Sequence, residues 1–207
     1  MLRLFTPVAI VCDHTMVDDA SALRGMLESF RLRVDFYHFL QKPQVFDFFA
    51  QPNNYAYTII ICHGTGETAE DMNLRFEVVD QESGDYDSPE GWDSVTIELT
   101  PTKIAEHLQN RGGTLISIAC GSGRKPLAHA FLKSGYQTYI APTETFVNAG
   151  SALVFVVNLF YYLMAEDRDY ATTIYTEKEA VEKASQLDPD FCYGTKLFRY
   201  YTTKENT

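Results

Sequence analysis

Basic residues are scarce in this chain and nowhere form a stripe. Only 17 Lys and Arg stand against 28 Asp and Glu, a formal net charge of -11 over 207 residues. Neutralising a phosphate backbone needs clustered cations, so a nucleic-acid partner is excluded; acidity of this kind serves solubility or favours a basic peptide as substrate. Paired cysteines are lacking as well. Cys12, Cys62, Cys120 and Cys192 lie far apart with no CxxC, so no zinc site, redox motif or other metal or cofactor is expected. The opening "MLRLFTPVAIVC" is too short and too interrupted for a signal peptide or a span, which implies a reducing cytoplasm and free thiols. No Pro/Gly/Ser-rich linker, repeat or low-complexity block divides the chain. With 45% apolar residues, 1–207 reads as one domain with one substantial core.

One stretch tests the expectation of no membrane contact. "FVNAGSALVFVVNLFYYLMA" (146–165) carries no charge over the length of a membrane helix. Asn148 and Asn158 dilute it, its nearest charges are the acidic Glu144 and Glu166, and it sits within an alternation of strands and helices. It reads as a buried crossover helix.

That alternation defines the fold class. "TPVAIVCD" and "RVDFYHFL" are β-branched or aromatic runs flanking the helically spaced "DDASALRGMLESFRL". "YAYTIIICHG" is nearly continuous in apolar residues, as a strand covered on both faces would be. "LRFEVVD" and "SVTIEL" alternate and predict a small hairpin around an acidic tip, "QESGDYDSPEGWD". The helix "TPTKIAEHLQN" follows, with a Thr cap and a Pro at its first turn. Then come the strand "TLISIAC", the helix "RKPLAHAFLKSG", the strand "QTYIAPT", the long apolar helix, the helix "TEKEAVEKASQL" and an edge strand "KLFRYYT". This order predicts an α/β three-layer αβα sandwich with a mostly parallel central sheet of about six strands and a small β-hairpin beside it.

In a parallel sheet the carboxyl ends of the strands share one edge, where open α/β folds gather their chemistry. Asp13, His63, Cys120 and 142–144 would meet there. His63 and Cys120 each end an apolar strand and each precede a glycine, which puts an imidazole and a thiol on one cleft, as nucleophilic cysteine catalysis requires.

These two motifs carry a family resemblance. "IIICHGTG" resembles the His-Gly motif, and "IACGSG" the Ala-Cys motif, of caspase-like cysteine peptidases, with histidine first and the cysteine 57 positions later. "LAHAFLKSGYQTYIAPTETFVNAGSALVFVVNLFYYLM" is similar to the downstream half of CHAT domains, so the likeness runs from Tyr55 to about Leu187. The resemblance implies a caspase-like fold and a cysteine endopeptidase processing a specific protein in a regulated, defence or cell-death setting. Cys120 would be the nucleophile, His63 the acid and base, and the backbone N–H groups of Gly64 and Cys120 the oxyanion hole. Control would come from a protein partner or a cleavage event. One position departs from the pattern: two residues before the nucleophile, where caspases carry Gln and metacaspases Asp, stands Ile118.

Two other readings were weighed. A non-catalytic caspase-like interaction module needs only the fold. An esterase-type α/β hydrolase needs a nucleophile elbow, and Ile118 and Cys120 occupy the upstream glycine positions that Cys120 and Ser122 would each require. Three further expectations follow. Asp13 and Glu144, at strand ends, would bind a basic side chain of the substrate. Cys62, on the opposite face from His63, belongs to the core with Cys12 and Cys192, while His14, His38, His107 and His129 have no site context. The acidic stretch 80–93 would be a mobile regulatory element over the cleft.

Overall fold

The apolar runs become strands because their alternate residues find cover on both sides of one sheet. The computed structural model describes residues 6–66, 68, 71–79, 94–109, 112–167, 172–173, 175–187 and 197–203. In chain order its elements are β1 (Pro7–Cys12), a 3-10 turn (His14–Met16), α1 (Val17–Ser29), β2 (Arg33–His38), α2 (Lys42–Ala50), β3 (Tyr57–Ile61), β4 (His63–Thr65), β5 (Asn73–Val79), β6 (Ser94–Leu99), α3 (Pro101–His107), β7 (Thr114–Ser117), α4 (Lys125–Lys133), β8 (Thr138–Pro142), α5 (Ala149–Leu163), β9 (Glu166–Asp167), β10 (Thr172–Thr173), α6 (Glu177–Gln186) and β11 (Phe198–Thr202).

Six strands make the main sheet in the order β11-β8-β7-β3-β1-β2. All neighbours are parallel except β11, which runs antiparallel to β8 at the edge. The chain steps outward from β1 to β2, then returns to the other side of β1 with β3. The strand order therefore reverses between β1 and β3, and crevices that hold ligands in open α/β sheets form at the carboxyl ends on either side of such a reversal.

Alternation along each strand splits the core in two. Val8, Ile10 and Cys12 of β1 and Ile59 and Ile61 of β3 face one cluster, filled by Leu23 and Leu27 of α1, by α5 and by Ala180 and Ala184 of α6. Val11, Ile60 and Cys62 face the other, filled by Val45 and Phe49 of α2, Ile104 of α3, Leu127 and Phe131 of α4, and the inner side of β5 and β6. Helices therefore cover both faces, giving the layered arrangement expected. The uncharged run is α5, fifteen residues with Phe155, Val156, Leu159 and Phe160 buried, each stabilising the sheet contact by about 1.5–3 kcal/mol. Among the described residues no helix is long and apolar enough to cross a membrane.

α2 and β4 add to the expected order, and the place of His63 and Cys120 at strand ends is corrected. The segment 42–50 was not foreseen as a helix; Pro43 in its first turn and a reciprocal Gln41/Gln44 capping box start α2, and Val45 and Phe49, one turn apart, anchor it. The small hairpin forms as expected from β5 and β6, and β4, which begins at His63, extends it to a three-stranded antiparallel sheet. His63 thus opens a new strand rather than ending β3, and Cys120 lies three residues past the end of β7, in the loop leading to α4. The expected mobile element at 80–93 lies outside the described residues, as does Cys192.

Candidate functional site

Two chain breaks bring the site residues together. After β3 the backbone leaves the main sheet, and β4 carries His63 and Gly64 across the start of the β7–α4 loop. An ideal Cβ on Gly64 would stand 1.7 Å from the carbonyl oxygen of Cys120 and 3.0 Å from its nitrogen, so only glycine lets these two main chains touch. This contact joins the histidine strand to the cysteine loop. It also sets the backbones of Gly64 and Cys120 side by side, the pair expected to form an oxyanion hole.

The cysteine loop is a pinned turn. Ser122 N–H donates to the Ala119 carbonyl at 3.2 Å, and Ala119 N–H to Ser117 Oγ at 3.3 Å. Ser117 and Ser122 share a buried hydroxyl contact of 2.9 Å, and Ser122 Oγ donates to Ala119 O at 2.7 Å. Tyr139 from β8 and Tyr201 from β11 donate to the carbonyls of Ser122 and Gly123 at 2.9 and 2.6 Å. Gly121 takes φ +65°, a turn that a side chain would strain, with Met72 lying against it. The thiol carrier is therefore held from beneath by four hydroxyls.

Cys120 itself is half-buried, and its Sγ accepts the backbone N–H of Val147 at 3.3 Å. Val147 immediately precedes Asn148, the N-cap of α5, whose side chain accepts from Gly150 and Ser151. The thiol also donates to the Val147 carbonyl at 3.8 Å, so Val147 engages the sulfur both as donor and as acceptor. The other described thiols, Cys12 and Cys62, are buried in the core. Burial, and then neighbouring Asp13, pushes Cys12 up to about 12, and burial raises Cys62 well above its ordinary value. Both are core residues with 0% and 3% exposure, as expected.

His63 is tied to the loop after β1. Its Nε2 lies 3.1 Å from Thr15 Oγ1, and Thr15 Oγ1 donates to Asp13 Oδ1 at 2.8 Å. Asp13 is the N-cap of the 3-10 turn: Oδ1 also accepts Thr15 and Met16 N–H, and Oδ2 accepts the N–H of Glu77 from β5. Its carboxylate has no exposed surface and four donors. Asp13 therefore reaches the site through Thr15, and the expected direct contact with a substrate cation does not fit this geometry. Glu144, exposed in the bend after β8, keeps an open carboxylate beside the cysteine loop, its carbonyl 3.7 Å from an ideal Cβ on Gly121.

Other residues were not foreseen here. His14 Nδ1 lies 2.6 Å from the Glu77 carbonyl, which fastens the β1 loop to β5. Arg75, paired in register with His63, forms an ion pair with Glu77 and holds the Glu77 carboxyl below its usual range. Thr15 was legible as part of an Asp-x-Thr turn after a strand; the Ser117–Ser122 contact had no sequence signal. Among the described residues no group of three His, Cys, Asp or Glu side chains is arranged to hold a metal ion. The chain matches no model of a known protein family and no curated protein sequence.

Proposed function

We propose that this chain is a caspase-like cysteine endopeptidase, with Cys120 as nucleophile and His63 as acid and base. The observation that carries this reading is the Gly64–Cys120 main-chain contact, which joins an imidazole-bearing strand to a thiol-bearing turn beside the reversal of the sheet. The pairing of β3 with β7 brings the two following segments side by side, and what supports the catalytic reading is that their closest approach, at a glycine, falls between a histidine and a cysteine.

In the reaction so read, the thiol proton passes to His63 and sulfur attacks the scissile carbonyl. Negative charge develops on the carbonyl oxygen, where the N–H groups of Gly64 and Cys120 would receive it. The imidazolium gives its proton to the departing amine as the C–N bond breaks. Water, losing a proton to the same imidazole, then hydrolyses the thioester and restores the thiol. Val147 N–H holds the sulfur between turnovers.

A second reading has one observation in its favour. Cys120 Sγ hydrogen-bonds to Val147 and His63 to Thr15, rather than to each other, as in a caspase-like module that binds partners without cutting them. The deciding experiment is digestion of a peptide library with sequencing of the new termini, together with alkylation of the intact protein. Hydrolysis that falls by at least about 1,000-fold in both Cys120→Ala and His63→Ala is expected, as is rapid alkylation at Cys120 that is lost in His63→Ala. An inert library and a Cys120 no more reactive than Cys62 would reject the enzyme.

A further inference from the structure

We infer that Thr15 and Asp13 form a positioning pair that fixes which nitrogen of His63 carries the proton. The inference rests on the peptidase reading above and extends the Cys-His dyad to a chain of four residues.

The argument is one of donors and acceptors. Asp13 Oδ1 is a carboxylate oxygen, which only accepts, and Thr15 Oγ1 lies 2.8 Å from it. A hydroxyl has one proton, so Thr15 spends it on Asp13. Towards His63 Nε2, 3.1 Å away, Thr15 has only lone pairs left. His63 must therefore donate from Nε2–H, and Nδ1 becomes the one ring nitrogen able to take the thiol proton. A hydroxyl without the carboxylate would be free to donate instead, and the opposite tautomer would then be equally well satisfied. Asp13 removes that alternative.

Geometry keeps the pair in place. Asp13 is fully buried and holds the Thr15 and Met16 N–H groups on one oxygen and the Glu77 N–H on the other, so the turn presenting Thr15 is anchored both to itself and to β5. β5 also pairs with β4, with Arg75 opposite His63. The donor and the acceptor of the Thr15–His63 contact are thus set by the same small sheet. Throughout turnover Nε2–H stays with Thr15, while Nδ1 takes the thiol proton, gives it to the leaving amine, takes one from water and returns it to sulfur.

Thr15 is exposed, so water partly substitutes for it and the effect is moderate. Thr15→Val, which keeps the shape and removes the hydroxyl, is expected to lower kcat about tenfold with KM unchanged, and Thr15→Ser to restore most of it. The second measurement is the long-range proton–nitrogen spectrum of His63 in the intact, uncatalysing protein. Wild type and Thr15→Ser should show a ring protonated predominantly at Nε2, and Thr15→Val a mixture of the two tautomers. Wild-type kcat in Thr15→Val, or a His63 ring protonated at Nδ1 in wild type, would overturn the inference while leaving the peptidase reading intact. A protein that cleaves nothing but shows the predicted spectra would remove the peptidase and keep the positioning pair.

Discussion

Two clefts in this molecule differ in what they are made of. One, about 810 Å³, lies along the edge strand β2 and α2 and is lined by Phe36, Tyr37, Phe48 and Tyr55. Several of its polar groups bond one another: Tyr55 donates to Asp35 at 2.8 Å, Tyr37 lies 2.5 Å from Tyr55, and Arg33 binds Asp35, while the buried Nε2 of His38 in its lining has no partner among the described residues. The other, at the carboxyl edge of β1, β3 and β7, carries a half-buried thiol and an imidazole held by a directed chain of bonds. Volume marks where a ligand fits, whereas reaction requires groups whose protons have somewhere to go. The lining of the β2 cleft holds no thiol, and its unpartnered imidazole, that of His38, has no nucleophile to serve.

Gly64→Ala breaks this comparison most severely. The new methyl would meet the Cys120 carbonyl at 1.7 Å, main chain against main chain, so one of the two breaks must move. Loss of about 3 kcal/mol or more is expected, with hydrolysis abolished even where the variant folds. Tyr55→Phe in the β2 cleft should leave hydrolysis within about twofold of wild type, since it touches none of the reacting groups. Chemical denaturation and peptide turnover on the two variants check both halves, and an active Gly64→Ala would show that the site lies elsewhere.

The lower stakes of the core thiols set a second contrast, read through pH. Cys12 is raised to about 12 and Cys62 is raised by burial, so the folded state keeps both protons where the unfolded chain would release them. Their contribution is complete below about pH 8.5; that of Cys12 is lost as pH climbs towards 12, at about 1.4 kcal/mol per pH unit, and Cys62 adds to the loss in the same direction. Between about pH 8.5 and 10, before the raised tyrosines matter, urea midpoints should fall, and the fall should be shallower in Cys62→Ala. That variant also leaves a small cavity, costing about 1–2 kcal/mol at neutral pH, with hydrolysis spared.

The comparison also explains what could be read from the chain alone. The parallel sheet was legible because burial on both faces writes long apolar runs such as that of β3, and the acid at Asp13, the imidazole and the thiol stood out at the ends of such runs. The positions beyond the strand ends were not. Whether His63 closes β3 or opens β4 depends on pairing with Arg75, a partner a dozen residues away that shares no local pattern with it. The four hydroxyls under the cysteine loop come from β7, β8, β11 and the loop itself, and serine and tyrosine give no period to detect. α2 escaped because nine residues hold barely two turns of periodicity.

The smallest expected effect concerns the two carboxylates read as substrate contacts, and the structure separates them. Asp13 cannot approach a substrate cation without abandoning four donors, so its removal should act on kcat through His63 and do so equally for all substrates. Glu144 is exposed at the lip and can meet a cation only through water-screened attraction, worth about 0.2–1 kcal/mol. Glu144→Gln should therefore lower kcat/KM up to about fivefold for peptides with Arg or Lys beside the scissile bond and leave neutral peptides unchanged. Raising ionic strength towards about 1 M, where the screening length shrinks to about 3 Å, should erase the difference. Equal loss on charged and neutral peptides would mean that Glu144 shapes the loop beside Cys120 rather than choosing the substrate, and a loss unmoved by salt would mean a contact drier than its exposure implies.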